Sequence, residues 1–163
     1  FCRNILGDEI NPTCHDDEYH LVTNAWIRNT EGKFLISQRV EWKAHPLMWE
    51  CTGGSVLMNE DTYQGAIREV KEELGVDISN APYAFVGSTT RYFKNCPDIV
   101  DVYIFELDVS IENVVIQKEE VNDVKWMTKE EIMEIYNQGN FETTKFILEV
   151  LNFDRKLNNP KNI

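Results

Sequence analysis

The sequence predicts an α/β fold in which a mixed central sheet lies between helices. Three observations predict it. β-rich runs flank one amphipathic helix near the middle of the chain, and two further helical patterns close it. An apolar fraction of 42% with 11% aromatic residues is enough to bury a core and argues against disorder. The length of 163 residues fits one domain, taken as 1–163.

In chain order, residues 1–19 are polar, broken by Gly7 and Pro12, and carry the acidic run Asp16-Asp17-Glu18. They read as an N-terminal arm or short hairpin. Residues 20–27 read as a strand, 29–32 as a turn and 33–39 as its hairpin partner. Residues 41–47, with Pro46, form a loop, and 48–51 a short strand that runs into Gly53-Gly54. A helix begins near Asp61 or Thr62, capped by Asn59 or Asp61, with Glu60 and Asp61 suited to its positive end. Its apolar stripe is Tyr63, Ala66, Ile67, Val70 and Leu74, and Gly75 is its left-handed C-cap. Residues 83–93 and 99–107 are β-rich runs around the turn signal Asn95-Cys96-Pro97-Asp98. Residues 124–127 read as a further strand. Thr128-Lys129-Glu130-Glu131 is a capping box for a helix that continues to about Asn137. A final helix is predicted over 142–157, with Phe146, Ile147, Val150, Leu151 and Phe153 toward the core.

Composition excludes some functions. A net charge of −12 disfavours nucleic-acid polymers, whose backbone demands Lys and Arg. No stretch reaches the roughly 18–20 apolar residues of a membrane span, and no signal peptide is visible. Cys2, Cys14, Cys51 and Cys96 lie far apart and lack zinc-finger spacing. They read as free thiols, and the expected location is cytoplasmic.

The chemistry concentrates between Gly54 and Val76, GSVLMNEDTYQGAIREVKEELGV. Glu69, Glu72 and Glu73 are spaced i, i+3, i+4 and share one helix face. That face lies roughly 120–130° from the apolar stripe at about 100° per residue. One side can pack on a sheet while the other presents carboxylates to a cleft. Like charges at this spacing cost a helix a few tenths of a kcal/mol per pair. Clustered carboxylates are what a hard divalent cation requires, and Mg²⁺ or Mn²⁺ is the expected cofactor. Such an ion also reconciles an acidic site with a phosphate substrate by inverting the local field.

Gly54, five residues, Glu60, seven residues, Arg68-Glu69-Val70, one residue, Glu72-Glu73, one residue, Gly75-Val76 resembles the complete Nudix box, with every fixed position met. The resemblance implies an α/β/α sandwich and hydrolysis of a diphosphate linkage in a nucleoside diphosphate joined to another group. Carried over position by position, it implies Glu69, Glu72 and Glu73 as metal ligands with the Gly53 carbonyl. Glu69, Glu72 or a glutamate on a later loop would be the base, and Glu120 is the candidate on that loop. Glu60, Arg68, Gly54 and Gly75 would support the site, Arg68 by orienting a glutamate. Arg39, Lys43, Pro46 and Trp49 resemble the segment that holds the diphosphate in the isopentenyl-diphosphate isomerase branch. Threonine at position 52, where that branch has its cysteine, and the intact box point to a hydrolase rather than an isomerase. Cys51 is one residue off, on the opposite strand face. A non-catalytic ligand sensor is the other alternative. The expected partner is a small diphosphate-containing molecule. Homodimers are common in the family, although no residue here specifies one. Trp42, Trp49, Tyr92, Phe93 and Tyr103 are candidates to stack a base, Trp42 foremost. His45 reads as an ordinary loop histidine.

Overall fold

A computed structural model describes residues 2–3, 18–92, 96–143 and 145–160. The described strands form one mixed sheet of nine, ordered β6-β7-β2-β3-β4-β9, with β5 and β1 also on β2 and β8 on β3. Its centre is β2 (Tyr19–Arg28), which pairs in parallel with β7 (Asp98–Glu106) and antiparallel with both β3 (Phe34–Arg39) and β5 (Thr52–Ser55). Strand β6 (Tyr83–Arg91) lies antiparallel beyond β7, and β8 (Val121–Met127) antiparallel on β3. The short strands are β1 (Cys2–Arg3), β4 (Trp49–Glu50) and β9 (Phe141–Glu142).

The alternation of side chains along β2 and β7 divides the core into two layers. Ala25, Ile27, Tyr103 and Phe105 pack with Ala66, Val70 and Leu74 of α1 (Thr62–Leu74). Trp26, Val102 and Ile104 face the other way, onto Ile132 of α2 (Lys129–Asn137) and Ile147, Val150 and Leu151 of α3 (Ile147–Leu151). Helices therefore cover both faces, which is the α/β/α sandwich expected.

Several expectations are corrected. The final helix is short. Its pattern over 142–157 divides into β9 and the five residues of α3, because residue 158 leaves to bridge Tyr83 through backbone bonds of 2.9 and 2.7 Å. The strand predicted at 48–51 ends at Glu50, and β5 starts separately at Thr52. The strand predicted at 124–127 begins at Val121. The cysteines are not all free: Cys96 is disulfide-bonded, whereas Cys51 is a buried free thiol. Most of the predicted N-terminal arm, 4–17, and Phe93 lie outside the described residues. Among the described residues no helix is long and apolar enough to cross a membrane.

Candidate active site

Helix α1 is set locally at both ends. The Asp61 carboxylate accepts from the Gln64 N–H at 2.7 Å, and the Gln64 side chain accepts from the Asp61 N–H at 3.0 Å, closing a capping box. Gly75 takes the left-handed conformation, φ 68°, and donates its N–H to the Lys71 carbonyl at 3.1 Å. Strand β5 runs beside the helix, and its glycines admit the helix side chains. A Cβ on Gly54 would stand 2.5 Å from the Glu69 carboxylate, and one on Gly53 would stand 2.3 Å from the Thr23 carbonyl oxygen.

Between these elements lies a cleft of about 540 Å³, lined in part by Lys43, Gly53, Gly54, Arg68, Glu69, Glu72, Glu73 and Glu120. Eight of the eleven predicted site residues therefore meet in one place. Glu60 stands behind the wall, on Arg68. Gly75 is at the far end of the helix. Arg39 lies apart, its guanidinium 2.6 Å from Glu50 and its Nε donating to the Ala44 carbonyl at 2.7 Å.

Two cations organise the carboxylates. Arg68 donates to Glu60 at 2.8 and 3.1 Å, to Glu69 at 2.8 Å, to Glu72 at 2.9 Å and to the Ser55 carbonyl at 2.8 Å. Glu60 also accepts the Leu57 N–H at 3.1 Å. Burial raises the Glu60 pKa, but the bonds from Arg68 and Leu57 outweigh it and hold the group below its usual value. Lys43 forms the second centre. It is ion-paired to Glu120 and stands 3.8 Å from Glu73. Burial pushes the Glu73 carboxyl up to about 8 against the pull of Lys43, and Glu69, Glu50 and Glu120 push the same way. Glu69 is also raised by burial, opposed by Arg68.

Glu120 reaches the cleft because the segment before it is fastened to the end of α1. The Val115 N–H donates to the Leu74 carbonyl at 2.9 Å, and the Gln117 N–H donates to the Glu73 carbonyl at 2.8 Å. Two carbonyls left unpaired by the helix end are thereby satisfied. Sequence reasoning missed Gln117, which lines the cleft, and Glu50, a partly buried carboxylate that acts on Glu73. The position of Gln117 three residues before Glu120 was the available signal. Neighbouring side chains fall as the strand geometry requires. Cys51 is buried in the layer under α2 and α3, away from the cleft. Thr52 is buried, and its hydroxyl has no partner among the described residues. Of the aromatic candidates, Tyr103 is core and Trp49 is half-buried under Lys125. Trp42 is 73% exposed and donates its indole N–H to the Glu119 carbonyl at 3.1 Å. His45 lies 3.6 Å from Glu142.

Against known families, residues 18–147 match the model of the NUDIX domain. The chain belongs to the Nudix family. An uncharacterized Nudix hydrolase of Listeria monocytogenes is 33% identical over 152 residues, covering 91% of this chain and 85% of the relative. Another, from Listeria innocua, is 35% identical over 142 residues, covering 85% and 78%. Among solved structures, a Deinococcus radiodurans protein has a TM-score of 0.69 at 22% identity, covering 93% of this chain and 91% of that one. A Caenorhabditis elegans Ap4A hydrolase has a TM-score of 0.61 at 22% identity, covering 81% and 92%, and shares the Nudix fold. The protein is thus a Nudix-type hydrolase, and its reaction class is pyrophosphate hydrolysis.

A divalent metal is the group this fold implies. Among the described residues no three acidic, histidine or cysteine side chains converge on one point as they stand. Arg68 and Lys43 hold the carboxylates instead. The donors nevertheless suit a hard cation. They are carboxylate oxygens, and one of them, Glu73, is buried with, among the described residues, an ammonium no nearer than 3.8 Å facing it.

Proposed function

We propose that the protein hydrolyses the diphosphate linkage of a small nucleoside diphosphate-X type metabolite with the help of Mg²⁺ or Mn²⁺. One observation supports this best: Glu69, Glu72, Glu73 and Glu120 line a single cleft together with Lys43 and Arg68. Glu69, Glu72, Glu73 and the Gly53 carbonyl would hold the metal. When bound, the metal neutralises charge on the diphosphate oxygens and lowers the pKa of a water. The protein's own groups do the rest. Arg68 fixes Glu69 and Glu72 in orientation through a rigid fork of donors. Lys43 offers an ammonium to the phosphate oxygens. Glu120, on a half-exposed side chain, accepts the proton of the attacking water, with Glu69 or Glu72 as the competing base. Arg39 reaches the substrate only by leaving Glu50.

The test is product release from a panel of diphosphates, with and without Mg²⁺ or Mn²⁺. ADP-ribose and Ap4A belong in it, because two Nudix proteins of similar fold are described with them. Nucleotide sugars, coenzyme A, nucleoside triphosphates and isopentenyl diphosphate complete the set. Metal-dependent cleavage of one compound well above the rest supports the reading and identifies its substrate. Conversion of isopentenyl diphosphate without phosphate release supports the isomerase instead. Tight binding of one compound without cleavage supports a sensor.

A further inference from the structure

The loop between β3 and β4 holds the cleft through two adjacent residues. Trp42 donates to the Glu119 carbonyl, and Lys43 is paired with Glu120 and faces Glu73. Both contacts join residues 40–48 to the 117–120 turn. The loop's other supports come from its own base and from β9: Arg39 donates to the Ala44 carbonyl at 2.7 Å, Gln38 donates to the Leu47 carbonyl at 2.9 Å, and His45 lies 3.6 Å from Glu142. Two of its residues, His45 and Leu47, have positive φ of 55° and 60°. Neither is glycine, so this conformation costs free energy that the anchoring contacts must offset.

Lys43 stands beside the oxygens on which the metal reading depends: it is paired with Glu120 and lies 3.8 Å from the Glu73 carboxylate. An ammonium and a divalent cation held within a few ångströms of the same buried carboxylate repel each other, and the repulsion is strong where water is excluded.

We propose that Lys43 is an internal counter-ion that a divalent metal must displace, so that metal loading frees the 40–48 loop from the 117–120 turn. This rests on the metal-dependent reading given above. The displaced ammonium is then available to the diphosphate oxygens of the substrate. Trp42, cut loose from Glu119, becomes a movable flat surface beside them. Lys43 is thus a positioning residue for the metal before it contacts any substrate.

The test is Mn²⁺ titration by calorimetry without substrate, on the wild-type chain, Lys43→Met and Lys118→Met. Lys118→Met removes the same charge from the exposed surface of the same turn and reports the general electrostatic effect. Amide hydrogen exchange over residues 40–48 is followed in parallel. Lys43→Met is expected to bind Mn²⁺ about tenfold more tightly, and Lys118→Met less than about threefold, in keeping with the weak effect of exposed charges. Metal should speed exchange of residues 40–48 in the wild type, whereas Lys43→Met should exchange fast without metal. Equal gains in the two variants, or unchanged loop exchange on metal binding, would overturn the proposal while leaving metal binding intact. Absence of Mn²⁺ binding in all three overturns the metal reading, and this inference with it.

Discussion

Two carboxylate groups share helix α1 and are balanced in different ways. On one side Arg68 holds Glu60, Glu69 and Glu72 through direct hydrogen bonds of 2.8–3.1 Å. On the other, Lys43 is paired with Glu120 and faces Glu73, but stands 3.8 Å from that buried carboxyl, beyond hydrogen-bond reach. The first group is built from residues 55–72 and forms with the helix. The second needs three separate segments: the 40–48 loop, the last turn of α1 and the 117–120 turn. Local assembly with a planar fork gives a fixed scaffold. Distant assembly on a point charge gives a site that another cation can rearrange.

Removing the charge of one carboxylate from each group should give the largest effect. Glu73→Gln and Glu72→Gln keep shape and are expected to cut turnover by about 10³-fold or more with the circular dichroism spectrum unchanged. Full activity in both variants would remove the metal assignment. Glu120→Gln should lower turnover while leaving metal affinity in place. An equal loss of affinity would make Glu120 a ligand and leave Glu69 or Glu72 as the base.

Breaking the scaffold should act on stability first. Arg68→Met leaves the partly buried Glu60 and Glu69 and the exposed Glu72 without their shared cation, at a cost of about 2 kcal/mol in denaturant unfolding. A loss below about 0.5 kcal/mol would mean that solvent already screens the group. Gly54→Ala sharpens the link between scaffold and chemistry. Its methyl must push the Glu69 carboxylate aside from 2.5 Å, so turnover should fall about tenfold for a stability cost near 1 kcal/mol.

The two groups should also separate by pH. Burial pushes the Glu73 carboxyl up to about 8 in the folded protein, from an ordinary value of 4.5. A raised folded pKa means that its stabilising contribution is complete below the unfolded value and is lost as pH rises toward 8. The stability of the wild type relative to Glu73→Gln should therefore fall between pH 5 and pH 8, and saturating Mn²⁺ should abolish the fall. A flat difference would show that Glu73 is already ionised beside Lys43. The smallest effect belongs to the helix start that both groups share. Asp61→Ala removes the capping box and should cost about 1 kcal/mol of thermal stability, with little change in turnover.

What the sequence made legible follows the same division. Asp61, Gly75 and the stripe Ala66, Val70 and Leu74 are read from spacing, because each acts within a few residues of its neighbours. The carboxylate face is legible for the same reason, as is the Thr128 capping box of α2. The Arg39–Glu50 pair is not, since a cation beside a diphosphate motif reads as a substrate ligand until its partner is seen. Gln117 stands three residues before Glu120, but its backbone bond to the Glu73 carbonyl, which brings it to the cleft, is not disclosed by spacing. The overlong final helix has a similar cause. A periodic apolar pattern persists past Leu151, but the backbone bond between Tyr83 and Asn158 outweighs local propensity.

The fastening of Val115 and Gln117 to the end of α1 makes this segment a ruler for the active site. Residues 108–113 lie before the fastening, so loops of different length there would leave the cleft unchanged. The span from Gln117 to Glu120 lies after it, and there the count of residues is fixed. One residue added or removed would turn a carboxylate out of the cleft while the fold stayed whole. Variation among relatives can therefore be large on one side of Gln117 and almost none on the other.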